Sequence, residues 1–119
     1  MPALLAALSL AAASAAAAPV AAPPALAPPQ AEALRCSVVF ALAARMQAES
    51  APQAAGWPPL GTRGKEYFVR VTARLMDDTG ASRETLAALA SREVAALQAE
   101  GAMAAAMPGC LVLLDAAGL

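Results

Sequence analysis

Five prolines fall between Pro19 and Pro29 (Pro19, Pro23, Pro24, Pro28 and Pro29), spaced by small and apolar residues. No other feature limits this chain so strongly. Such a stretch cannot form a helix and reads as an extended, polyproline-like connector. It separates an apolar leader from a folded part that starts near Gln30 and holds about 90 residues, a size at which a core is marginally stable without help. The apolar content overstates that core. Hydrophobic residues make up 60% of the chain, but 37 of its 119 residues are Ala and aromatics supply 3%. Ala buries little area, so it drives a core weakly. Ile, Asn and His are absent altogether, and a GC-rich coding sequence accounts for this composition.

The leader has the order of a secretory signal peptide. The first charged side chain is Glu32, and Leu4-Leu5-Ala6-Ala7-Leu8-Ser9-Leu10 runs into small residues from Ala11 to Ala18. This matches an apolar h-region followed by a small-residue cleavage zone, although the n-region lacks Lys and Arg. Pro at the first mature position obstructs cleavage, so the cut is expected after Ala15-Ala16-Ala17 and not before Pro19. A signal anchor needs about 20 apolar residues, and Pro19 interrupts the run. A lipoprotein needs Cys directly after a small-residue lipobox, whereas Cys36 follows Ala33-Leu34-Arg35. The expected organisation is a signal peptide over 1–17, a disordered Pro/Ala-rich leader over 18–29 and a helical domain over 30–119. The expected location is periplasmic or secreted, without stable membrane insertion after cleavage.

The folded part reads as helices. Leu34, Val38, Leu42 and Met46 recur every four residues between Ala31 and Ser50, and Cys36, Val39, Phe40 and Ala43 widen that face. Pro52 ends the segment, and Gln53 to Trp57 form a loop. Pro58-Pro59 opens a second helix running to Asp78, since Pro is tolerated in a first turn. Leu60, Gly64, Tyr67, Phe68, Val71 and Leu75 form its buried stripe. Arg63, Glu66, Arg70 and Arg74 lie opposite, with Glu66–Arg70 and Arg74–Asp78 as i,i+4 pairs. Gly80 supplies a left-handed stop. Ser82 caps a third helix with Glu84 in its first turn, burying Leu86, Leu89, Ala90, Val94 and Leu97 before Gly101. Pro108 then opens a short last helix with Cys110, Leu111, Leu113 and Leu114 on its apolar side. Cys110 to Leu114 also suits a buried strand, but no partner strand is evident. The expected fold is all-α, a small four-helix array.

Two cysteines in an exported chain form a disulfide more often than anything else. Cys36 and Cys110 would tie the first helix to the last, constraining the unfolded chain by roughly 4 kcal/mol. A redox-active pair usually sits as C-x-x-C at a helix N-terminus, which this spacing does not provide. Two thiols without His also make a poor zinc site.

Other fragments of chemistry fail on context. Asp78-Thr79-Gly80 matches the aspartic-protease triplet, yet it lies between helical patterns where that chemistry needs two paired carboxylates in β surroundings. Asp77-Asp78 lacks the alternating ligands of a calcium loop. Gly64-Lys65-Glu66 lacks the hydroxyl and upstream Gly of a P-loop. Without His, a nucleophile would need Lys65, and no Ser is placed beside it. The chain has Lys+Arg 8 against Asp+Glu 9, which excludes a basic nucleic-acid binder. The stripe of Arg63, Arg70 and Arg74, with Lys65 nearby, is the remaining candidate for contact with an acidic partner or anionic lipid, although its acidic neighbours dilute it and suit an ordinary solvated helix face better. Trp57 and Tyr67 are equally suited to contact or to packing.

Arg35-Cys36-Ser37, the stretch from Tyr67-Phe68-Val69-Arg70 to Arg74-Leu75-Met76-Asp77-Asp78-Thr79-Gly80, and Met107-Pro108-Gly109-Cys110-Leu111 resemble small exported helical proteins of alphaproteobacteria. That resemblance implies a two-cysteine periplasmic helical domain and assigns no activity or functional residue. The sequence therefore leads to a non-enzymatic envelope protein acting through protein contacts, of inhibitor or immunity, accessory or stress-chaperone type. Its partner is an unknown envelope protein, and no cofactor or metal is expected. The alternative is a carrier of a small apolar ligand among its helices.

Export from a bacterial host is expected to remove roughly the first 17 residues, and reductant to add the mass of two hydrogens. Intact-mass spectrometry checks both; a full-length chain with two free thiols would end the export reading.

Overall fold

A computed structural model describes residues 25–119. The signal peptide and most of the Pro/Ala leader expected from the sequence lie outside the described residues. Four helices follow in order: α1 (Pro28–Ala48), α2 (Arg63–Thr79), α3 (Arg83–Leu97) and α4 (Ala102–Ala116), with a single 3₁₀ turn at Pro52–Ala54. Among the described residues there is no strand. The fold is all-α, and a disulfide between Cys36 and Cys110 joins α1 to α4.

Helix α1 is the centre of the array and packs against each of the other three. From Leu34 to Phe40 only Arg35 is exposed, so this stretch of the helix is buried nearly all round, as a core segment must be. The buried Ser37 hydroxyl is satisfied by donating to the Ala33 carbonyl at 2.9 Å. The main cluster gathers Cys36, Val39, Phe40, Leu60, Tyr67, Met107, Cys110 and Leu114 around α1. A second, smaller cluster joins Leu34, Leu75, Ala81 and Leu86 near the start of α1. Full burial of each large side chain contributes about 1.5–3 kcal/mol, which the few bulky residues must supply in place of the many alanines.

Several boundaries differ from the sequence reading, each for a local reason. α1 starts at Pro28, inside the stretch read as leader, because proline's fixed φ and missing N–H suit a helix's first turn. The Gln30 side chain reaches back to accept the Ala27 N–H at 2.9 Å, and Leu26 packs against the smaller cluster. α2 does not open at Pro58-Pro59 but four residues after Pro59, at Arg63. The Gln47 amide intervenes: its Nε2 donates to the Pro58 carbonyl at 2.8 Å, and its Oε1 accepts the Leu60 N–H at 3.0 Å. This holds the diproline extended and drives Leu60 into the core at 0% exposure.

Helix α4 is longer than expected and carries Pro108 in its interior. Proline there removes one hydrogen bond, to the carbonyl four residues earlier. Pro108 and Ala104 both face solvent, so water can serve the freed carbonyl, while Met107, Cys110 and Leu114 stay buried on one stripe. The apolar run from Cys110 to Leu114 is therefore helical, and the strand alternative is excluded. The stop at Gly80 holds, with φ of 70°, whereas α3 ends earlier than expected, at Leu97 with Gln98 as its C-cap, and Gly101, with φ of 76°, precedes the first residue of α4 as its N-cap. Ser82 caps α3 by accepting the Thr85 N–H at 3.1 Å.

α2 crosses α1 closely at Gly64, where an added Cβ would lie 2.9 Å from Phe40 Cβ. Gly109, also helical, has nothing within 4 Å of that position. Gly64→Ala is thus expected to destabilise by about 1–3 kcal/mol through overpacking, and Gly109→Ala to stabilise by up to about 1 kcal/mol through helix propensity. Denaturant unfolding of the two variants checks the opposite signs.

Candidate functional site

The first turns of α1, the middle of α2 and the end of α4 enclose a groove of about 610 Å³. Its floor is apolar, formed by Val71, Leu75 and Leu113, with Ala33 beside them. Tyr67 closes one side. Arg70 and Arg74 stand on the α2 rim, Glu32 on the α1 rim, and Asp78 at the end of α2. The helical period of α2 creates this arrangement: Tyr67, Val71 and Leu75 turn inward at four-residue spacing, leaving Arg70 and Arg74 one position behind along the rim.

The three arginines singled out from sequence have different fates. Arg63 stands outside the groove and ties α2 to α4. Its Nη2 lies 2.9 Å from Asp115 Oδ1 and also donates to the Leu119 backbone oxygen. Arg70 forms the expected i,i+4 pair with Glu66 at 2.9 Å and reaches the Ala117 carbonyl at 3.4 Å. Both cations thus sit at the C-terminal end of α4, where the helix dipole favours positive charge. Arg74 differs. The expected Arg74–Asp78 pair does not form, and Arg74 has no ion-pair partner among the described residues; the ion pairs there are Arg45–Glu49, Arg63–Asp115 and Arg70–Glu66. Two of the three arginines therefore serve the fold as well as the surface, and one stands free at the groove.

The other sequence fragments take structural roles. Thr79 of the Asp78-Thr79-Gly80 triplet ends α2, its hydroxyl donating to the Leu75 carbonyl at 2.6 Å and accepting the Ala81 N–H at 3.1 Å. Asp77 and Asp78 are exposed. Gly64 is a packing position and Lys65 an exposed one. Among the described residues, no group of three or more Cys, Asp or Glu side chains gathers as metal ligands would. The two cysteines are joined, with Cα atoms 5.2 Å apart, and both are buried.

Sequence reasoning did not single out Glu32 as part of this groove, because it comes from the opposite helix and no periodicity connects it to α2. Tyr67 belongs to the buried stripe of α2, and its ring meets Phe40 edge-on with centroids 5.1 Å apart. Burial pushes its hydroxyl above the ordinary tyrosine pKa, and the Glu32 carboxylate adds to that shift.

The pH consequence follows from the sign of the shift. A folded-state pKa raised above the unfolded value of about 10 means that the folded chain keeps a proton the unfolded chain loses. This contribution is intact below about pH 10 and is lost as pH rises from there through the folded pKa. Tyr67→Phe keeps the edge contact with Phe40 and removes the ionisable group. Its melting temperature is expected to fall less than that of the parent protein between about pH 9.5 and 11, as read by circular dichroism.

Compared with known proteins, the chain matches no protein-family model, no curated protein and no solved structure.

Proposed function

We propose that this chain is an exported, non-enzymatic helical protein of the cell envelope that acts through protein contacts. The role is of inhibitor or immunity, accessory or stress-chaperone type. The contact surface is the groove between α1, α2 and α4. The observation that carries this reading is Arg74, a guanidinium with no ion-pair partner among the described residues, at the rim of an apolar floor made by Val71, Leu75 and Leu113. Such a site suits an apolar segment bearing a carboxylate, since a planar guanidinium grips a carboxylate through two parallel hydrogen bonds. Arg70 beside it is already occupied by Glu66 and the end of α4, so it contributes field more than a free donor.

Export is supported by the buried Cys36–Cys110 bond, which persists in oxidising compartments. No helix of the described residues is long and apolar enough to cross a membrane. The resemblance to small exported alphaproteobacterial proteins points the same way. A groove with charged rims favours a protein segment as its occupant over a small apolar ligand, so the carrier reading ranks second.

Columns bearing the parent protein, Arg74→Glu and Lys65→Glu separate these readings when challenged with envelope extract. A partner that binds the parent and Lys65→Glu, but binds Arg74→Glu about tenfold more weakly, is expected for a groove that recognises a carboxylate. Identical capture by all three would remove the groove from consideration. Added mass of an apolar molecule in native mass spectrometry of the purified protein would favour the carrier.

A further inference from the structure

A second depression, of about 450 Å³, lies at the other end of α1. It is enclosed by the last turns of α1, the loop carrying Trp57 and the turn from α3 into α4. α1 spans roughly 30 Å, so the two grooves sit at its opposite ends. The floor here consists of Leu42, Met46, Trp57, Leu97 and Met103. Leu97 is buried and the other four are half-buried. Methionines adapt to the shape of an incoming side chain, and tryptophan is a large anchor with little conformational entropy to lose.

Trp57 is held in place from both sides. Its backbone N–H donates to the Ala54 carbonyl at 3.2 Å, and Gln47 Nε2 reaches its backbone carbonyl at 3.5 Å and that of Pro58 at 2.8 Å. The next anchor is Leu60, fully buried and bonded to the same Gln47 side chain. The backbone that carries the indole is thus fixed before any ligand arrives, which lowers the ordering cost of binding.

The charge balance here differs from that of the arginine groove, where Glu32 and Asp78 stand against Arg70 and Arg74. Glu49 and Glu100 line it, and the one cation, Arg45, already bonds Glu49 through Nε at 3.0 Å. Glu100 has no ion-pair partner among the described residues. The C-terminal ends of α1 and α3 both arrive here, at Glu49 and Gln98, each with the partial negative charge of a carbonyl terminus. The N-terminus of α4 at Gly101 offsets one of them. We infer that this groove docks a short apolar segment of another protein flanked by Lys or Arg, with its apolar side chains over Trp57 and the methionines and its cations toward Glu49 and Glu100. This goes beyond the contact proposed for the arginine groove, whose acidic partner would meet like charge here.

Trp57 is the chain's single tryptophan, so its emission reports on this groove directly. The oxidised, exported protein is titrated with two synthetic peptides that share one leucine-rich face, flanked by Lys in one and by Glu in the other. The expected result is a saturable emission shift with the Lys peptide, about tenfold tighter than with the Glu peptide and weakening as salt is raised. Glu49→Lys with Glu100→Lys should invert that preference, whereas Arg74→Glu should leave it unchanged. If the double reversal fails to fold, Glu49→Gln with Glu100→Gln should abolish the preference without inverting it. Equal affinity for the two peptides, indifference to the Glu49 and Glu100 changes, or no saturable signal by fluorescence or calorimetry would overturn the inference.

Discussion

The bond between Cys36 and Cys110 joins the central helix to the last one at the middle of the main apolar cluster. Its Cys36 end lies in the most buried stretch of α1, and its Cys110 end two positions after Pro108. A proline-interrupted helix rich in alanine has a weak hold of its own, because one hydrogen bond is missing and most of its side chains bury little area. Closing the intervening loop offsets roughly 4 kcal/mol of chain entropy in the loop-entropy model, comparable to the whole net stability of many small domains. Met107, Cys110 and Leu114 can then settle against α1, and the end of α4 comes within reach of Arg63 and Arg70. The groove beside Arg74 exists because α4 is fastened there.

Helix α1 carries the second organising role. It packs against α2, α3 and α4, and each of its ends becomes one wall of a groove. At its start the rim carries Arg70 and Arg74 of α2 with Glu32 and Asp78; at its finish it carries Glu49 and Glu100 with Arg45. The closest approach is between Gly64 and Phe40, which sets how near α2 lies and so how Tyr67 meets Phe40. The proposed contact surfaces thus differ in charge balance at the two ends of one helix, a difference that would let them discriminate between partners by repelling the wrong segment as well as attracting the right one.

Most of the helical content was legible because period and punctuation agree. The four-residue spacing of Leu34, Val38 and Leu42 marks α1, and Gly80 and Ser82 mark the break between α2 and α3 by their backbone and capping chemistry. Most of the misplacements came from proline, which local rules treat as a boundary. Pro28 and Pro29 belong to the first turn of α1, Pro58 and Pro59 lie outside α2, and Pro108 lies inside α4. In the last two cases a distant group decides: the Gln47 amide for the diproline, and the buried stripe with its disulfide for Pro108. The arginine stripe was legible as a helix face, but not its division into Arg63 and Arg70, engaged with α4, and Arg74, left free.

The sequence by itself determined that this chain forms four helices, where α2 ends and α3 begins, and that its two cysteines link the first helix to the last. Those properties depend on periodicity, caps and residue chemistry within a few positions along the chain. The tertiary structure alone decided which charges remain available, how the stretch of α1 from Leu34 to Phe40 is buried nearly all round, and that Glu32 joins α2's arginines while Trp57 joins Glu49 and Glu100. These pairings cross between helices, and their geometry is set by how closely the helices pack, which no spacing within a single helix encodes.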